Sequence, residues 1–158
     1  MRASILAMVL TAGLAASATA QTPDMKTLPA PLRDILASDA AMCREQGGTV
    51  RLAPAHIQTG DFDGDGRGDY LIDQEGVACS TAASLYCGNS PCPVYALIAA
   101  DGFAEPRHIP DDVFEPVVRP QGEISVVETG GVSASGQAIT LRWMLRGGVW
   151  RSAQIRRE

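Results

Sequence analysis

Gly60-Asp61-Phe62-Asp63-Gly64-Asp65-Gly66-Arg67-Gly68-Asp69-Tyr70-Leu71-Ile72 is the stretch that decides how the rest of the chain is read. Counted from Asp61, carboxylates stand at positions 1, 3, 5 and 9. Like charges held this close repel and raise one another's pKa, a cost that a bound cation removes. Ca²⁺ suits the site, because it takes several oxygen ligands from flexible carboxylates and backbone carbonyls. The expected ligands are the Asp61, Asp63, Asp65 and Asp69 side chains and the Arg67 carbonyl. Gly64 and Gly66 allow the sharp turns that aim these groups inward. The plainer reading is a solvated acidic turn, since Gly and Asp favour turns for backbone reasons alone. Four carboxylates in register exceed that need.

Working outward, Ile57 precedes the loop and Tyr70-Leu71-Ile72 follows it, so the unit reads as strand, loop, strand. The spacing Asp-x-Asp-x-Asp-Gly-x-x-Asp resembles the first nine positions of an EF-hand loop. The match then fails, with Gly68 at position 8 and Ile72 at position 12, and no second helix follows. Residues 60–71 more closely resemble the calcium loop of FG-GAP or VCBS-type repeats, in which a Gly-Asp-Phe-Asp-Gly-Asp-Gly-x-x-Asp-hydrophobic pattern joins two strands. That resemblance implies a Ca²⁺ site on a strand–loop–strand unit. A propeller needs at least about four blades, and this chain holds one such loop, so the local unit carries over without the propeller. The wider layout, with its Ser84-Leu85-Tyr86-Cys87-Gly88 segment and tryptophan-containing end, is similar to small exported bacterial proteins and implies no activity. Arg67-Gly68-Asp69 also spells an adhesion tripeptide, but the loop requires Asp69.

Residues 1–20 read as a signal peptide: Arg2, an apolar run from Ile5, and Ala18-Thr19-Ala20 ahead of Gln21. Residues 21–28 read as a flexible N-terminal arm, and residues 29–158 as one disulfide-stapled α+β domain. Removing Arg2 takes the formal charge from −5 to −6. An acidic domain is a poor partner for nucleic acid, whose affinity rests on cations set against phosphates. No second long apolar stretch exists to span a membrane. Periplasmic or secreted localisation follows from the leader.

Cys43, Cys79, Cys87 and Cys92 make an even count in an exported chain, which favours two disulfides over zinc ligation, and there is no CxxC pair. Three pairings are open. The turn-rich Cys87–Cys92 segment invites local closure, which would leave Cys43 with Cys79.

After Pro29 and Pro31, the positions Leu32, Ile35, Leu36, Ala40 and Met42-Cys43 fall at helical spacing, giving an N-terminal amphipathic helix of about three turns up to Gly47-Gly48. A mostly antiparallel sheet follows. Residues 49–59 read as a strand broken at Pro54, and 94–100 as a central strand buried on both faces, with a short helix the alternative that periodicity leaves open for that run. Asp101-Gly102 turns the chain back, and four prolines between 106 and 120 confine that region to edge strand and loop. Residues 124–127 read as a short strand, Gly130-Gly131 as part of a flexible connection, and 138–145 with 149–155 as a hairpin around Gly147-Gly148.

No catalytic set emerges. His56 and His108 have no metal-ligand partner at close spacing, and no Gly-x-Ser-x-Gly elbow surrounds a serine. Asp111-Asp112 and Glu115 read first as a solvated loop and only second as paired carboxylates for glycoside chemistry. Trp143 and Trp150 offer a candidate binding surface, against the plainer reading of a cross-strand pair that stabilises the sheet. The expected function is a calcium-stabilised, non-enzymatic binding or envelope-associated module; its partner is not read from the sequence, a cell-envelope polymer or protein being the class considered. The alternative is a hydrolase, or a hydrolase inhibitor, acting on cell-envelope polymers.

Overall fold

The computed structural model describes residues 24–88, 90–110 and 113–155. The expected signal peptide (1–20) and the Asp111-Asp112 pair lie outside the described residues.

Helix α1 (Ala30–Glu45) is capped by Pro29, with Pro31 in its first turn. Proline fits there because its φ is already helical and the missing N–H has no partner to lose. The sequence placed this helix at the N-terminus of the domain. It starts at Ala30 and lasts 16 residues, longer than expected, because nothing interrupts the helix before Gly47. Gly47, at φ 72°, then ends it by donating its N–H to Arg44 O. The expected arm is also corrected in part. Residues 24–27 form a hydrogen-bonded turn, and Leu28 is buried against Leu32 and Leu36.

The segment read as one broken strand is two strands in different sheets. β1 (Val50–Leu52) pairs with β4 (Val77–Cys79), whereas β2 (Ile57–Gly60) pairs with β3 (Asp69–Asp73). Pro54 cannot donate to a ladder, and the chain turns at His56, whose N–H bonds to Ala53 O. β5 (Val94–Leu97) and β6 (Arg107–His108) complete the sheet β2-β3-β5-β6. A second four-stranded sheet is a meander of β7 (Phe114–Gln121), β8 (Ile124–Val132), β9 (Ala138–Arg146) and β10 (Val149–Ile155). Every pairing is antiparallel.

Strand periodicity explains the layers. Along β5, Val94 and Ala96 enter one core with Trp143, Leu145 and Trp150, while Tyr95 and Leu97 enter another with Leu32 and Leu36. In β3, Leu71 and Ile72 divide the same way. The central sheet is therefore buried on both faces, between α1 and the C-terminal meander; of the run at 94–100, Val94–Leu97 is the buried strand, and Ala99–Asp101 turns into a 3-10 helix. The result is a small α+β fold.

One expectation in the meander holds and two are adjusted. β7 does contain Pro116 and Pro120, and it sits at the sheet edge with a register shift between Phe114 and Val117. Gln58 of β2 bridges that irregularity, donating to Pro116 O at 2.7 Å and accepting from Val118 N–H at 2.9 Å. β8 runs on through Gly130-Gly131 instead of ending at Val127. Gly131 pairs with Ile139, and a Cβ there would come within 3.1 Å of Leu141, so the glycine serves close packing and not flexibility. Trp143 and Trp150 do not face each other, because their hairpin partners are Ser152 and Leu145.

Both disulfides match the pairing that local closure favoured: Cys43–Cys79 ties α1 to β4, and Cys87–Cys92 closes a short loop. No cysteine is left for zinc or for catalysis.

Phe62 fastens the acidic loop to the fold. It is fully buried and meets Trp150 edge-on, with ring centroids 5.7 Å apart. Phe62→Ala should lower unfolding stability by about 3–5 kcal/mol. Urea unfolding with an unchanged m-value is the measurement; a loss under about 1 kcal/mol would mean the loop is not anchored this way.

Candidate metal centre

β2 and β3 deliver the loop 61–68 as the connection of a hairpin, in which Gly60 pairs with Asp69. Each early aspartate braces the turn after it. Asp61 Oδ1 accepts from Gly64 N–H at 2.7 Å and Oδ2 from Gly66 N–H at 2.8 Å. Asp63 Oδ1 accepts from Asp65 N–H, and Asp65 Oδ1 from Arg67 N–H. Gly64 and Gly66 sit at φ 83° and 80°, in the left-handed region where a side chain is disfavoured. This winding gathers Asp61, Asp63 and Asp65 so that one carboxylate oxygen from each lies within 4.8 Å of the others.

Asp69, expected as a fourth ligand, stands outside this trio. It is fully buried, and both its oxygens accept from main chain: Oδ2 from Phe62 N–H and Oδ1 from Ala99 N–H, each at 2.8 Å. Burial raises its pKa, the two amides oppose that rise, and the negative Asp63 and Asp65 add to it. Arg67 meets the cluster through its side chain. Its guanidinium contacts Asp65 Oδ2 at 2.6–2.7 Å, holding the Asp65 carboxyl below its ordinary range and raising its own pKa. Asp69 is inaccessible, so Arg67-Gly68-Asp69 is not displayed as a recognition tripeptide.

The donor set of carboxylate oxygens on glycine turns fits a hard cation. Asp61, Asp63 and Asp65 could hold one, in competition with Arg67 for Asp65. The loop is also fixed from behind. Asp61 O accepts from Ser125 N–H at 2.6 Å, and a Cβ on Gly60 would lie 2.7 Å from Ser125 Cβ. The candidate centre thus sits where the central sheet meets the meander.

The other candidate residues are dispersed. Trp143 and Trp150 are buried, donating their indole N–H groups to Thr129 Oγ1 and Arg107 O, so they form core and not a binding surface. An indole needs a partner for one N–H and dry contact for the rest, and the interior between the sheets supplies both. His56 is buried, with Nδ1 2.8 Å from Asp73 O, and His108 is exposed against the Tyr95 ring. Glu115 is exposed, and its expected partners Asp111 and Asp112 lie outside the described residues.

A residue the sequence reading passed over is Asp39. The buried stripe of α1 is Leu32, Leu36, Asp39 and Cys43, at steps of four, three and four, so this aspartate stands on the apolar face. That spacing was the available signal. Asp39 Oδ2 is buried with no hydrogen-bond partner. Burial raises the pKa of Asp39; the Gln74 side chain and the His56 ring oppose the rise but do not cancel it.

A group with a raised folded pKa supports folding below its unfolded value, near 3.8, and loses that contribution as pH rises through the folded pKa. Asp39→Asn should therefore raise the melting midpoint at pH 7, and its advantage should vanish on acidification below the ordinary carboxylate range. Thermal melts of both proteins across pH test this; a variant less stable than wild type at pH 7 overturns it.

A scan against protein-family models gives no match, and searches of the curated proteins and of the solved structures find no similar chain.

Proposed function

We propose that this chain is an exported, calcium-stabilised binding module without catalytic activity of its own, acting on a cell-envelope polymer or protein. The observation that carries the calcium part is the convergence of Asp61, Asp63 and Asp65 oxygens within 4.8 Å on a glycine-wound loop. Bound there, Ca²⁺ would neutralise the crowded carboxylates and stiffen the β2–β3 connection. That connection carries Phe62 into the core and touches Ser125 of the meander. The ion's role is structural: it would hold two sheets in one relation. The likeness of residues 60–71 to FG-GAP-type loops supports the same ion. Two disulfides suit an oxidising compartment and support export.

A hydrolase or hydrolase inhibitor is the second reading. Asp39 favours it, as a carboxyl of raised pKa lining a concave groove. The groove's lining includes no second carboxylate to complete an acid–base pair, which places this reading behind the first.

The test is a thermal melt in EDTA and then in millimolar Ca²⁺. A ligand that binds only the native state at a hundred-fold excess over its Kd adds about 2.7 kcal/mol. Wild type should show a Ca²⁺-dependent rise, with Mg²⁺ giving much less. Asp63→Ala combined with Asp65→Ala should abolish it. Arg67→Ala keeps the main-chain carbonyl and removes the competing guanidinium, so the rise should persist or grow. An unchanged midpoint for wild type defeats the calcium proposal.

A further inference from the structure

A groove of about 260 Å³ opens between α1 and the central sheet, on the opposite side of that sheet from the meander. Asp39, Gln74, Tyr86, Tyr95 and His108 supply its polar lining, and Met42 and Leu85 are among its apolar lining. Two of its acceptors are unmatched. Asp39 Oδ2 and Gln74 Oε1 are buried acceptors without partners. Tyr86 Oη donates its proton to Asp39 O at 2.8 Å, and Gln74 Nε2 donates to Tyr95 Oη at 3.1 Å. The lining contains no Lys or Arg, and among the described residues none forms an ion pair with Asp39. A buried carboxylate left in this state is costly, and a positive donor is one way to remove that cost, protonation being the other.

We propose that this groove binds a primary alkylammonium group, its N–H donors reaching Asp39 and Gln74 and its alkyl chain lying on Met42 and Leu85. An ammonium brings three donors and no acceptor, which suits the two unpartnered acceptors Asp39 Oδ2 and Gln74 Oε1. The Tyr86 and Tyr95 rings add the attraction of aromatic faces for a cation. The volume lies just below the usual range for small-molecule sites, which suits a short chain and not a large ligand. The same chemistry is carried by a free alkylamine and by a lysine side chain on a peptide. This inference names a ligand for the binding module proposed above and does not depend on the acidic loop.

Isothermal titration calorimetry of the disulfide-bonded full-length protein tests it, in Ca²⁺ and separately in EDTA. The probes are n-pentylamine, a short peptide with one lysine and blocked ends, and 1-pentanol as the neutral isostere. Pentylamine should bind at least about tenfold more tightly than pentanol, as expected for a hydrogen bond to a charged group. Tighter binding of the peptide identifies a lysine of a partner; tighter binding of the free amine identifies a small metabolite. Asp39→Asn should weaken amine binding about tenfold or more. Leu85→Trp, which leaves the carboxylate in place and fills the groove, should weaken it as well. Binding that survives EDTA keeps this inference even where the calcium proposal fails. Absence of amine binding in both buffers overturns it, as does equal binding of pentanol or full binding by Asp39→Asn.

Discussion

The Asp69 carboxylate reaches two stretches of main chain at once, and the hairpin around it is arranged to allow that. One oxygen holds Phe62 N–H at the start of the acidic loop; the other holds Ala99 N–H just beyond β5. A buried, desolvated carboxylate keeps its place only when its acceptors are satisfied, so this pair of bonds fixes the loop's path to within hydrogen-bond tolerance. Phe62 is thereby turned inward onto Trp150, and the alternation of the chain turns Asp61 and Asp63 outward. The exposed acidic cluster and the aromatic plug are two faces of one constraint. That is also why Asp69 differs from its three neighbours in role despite sharing their spacing.

The molecule carries two solutions to the problem of negative charge. In the loop, solvent, main-chain amides and Arg67 disperse it, and Asp65 ionises more readily than an ordinary aspartate. In the groove beside α1, burial dominates, and Asp39 ionises less readily. Coulombic attraction from His56 reaches Asp39 without a hydrogen bond to close the gap. The first arrangement tolerates an empty loop; the second leaves an acceptor in the interior with nothing to accept. Stability and recognition pull in opposite directions at Asp39, as they do wherever a site is organised ahead of its ligand.

Much of this was legible in the sequence where one periodicity or one spacing was in force. The run Val94-Tyr95-Ala96-Leu97 announced a doubly buried strand because both of its faces meet apolar layers. The prolines announced an edge, and the Gly147-Gly148 pair announced a tight turn. Legibility failed where a residue served a neighbour distant in sequence. Gly130-Gly131 looks like a hinge until Leu141 is seen over it. Trp143 and Trp150 look like a platform until Thr129 and Arg107 take their N–H groups. Pro54 marked a break, but a chain read alone does not show that the two sides belong to different sheets. Asp39 was legible in principle, since it stands on the stripe of Leu32, Leu36 and Cys43, but a charged residue on a helix is read as solvated by default.

The C-terminal meander joins β7, β8, β9 and β10 in strict sequence order, each strand beside the one before it. The N-terminal half combines local pairings, such as β2 with β3, with one long-range pair. β1 reaches past β2 and β3 to find β4, and Cys43 and Cys79 are separated by 36 residues. Closing short loops costs less chain entropy than closing long ones, and sheets of local hairpins form sooner. The meander is therefore the part of the fold whose contacts close at the least cost in chain entropy. Until β7–β10 have formed, the apolar faces of Val94, Ala96 and Phe62 lack Trp143, Leu145 and Trp150 to pack on, so the union of the two sheets waits on the meander.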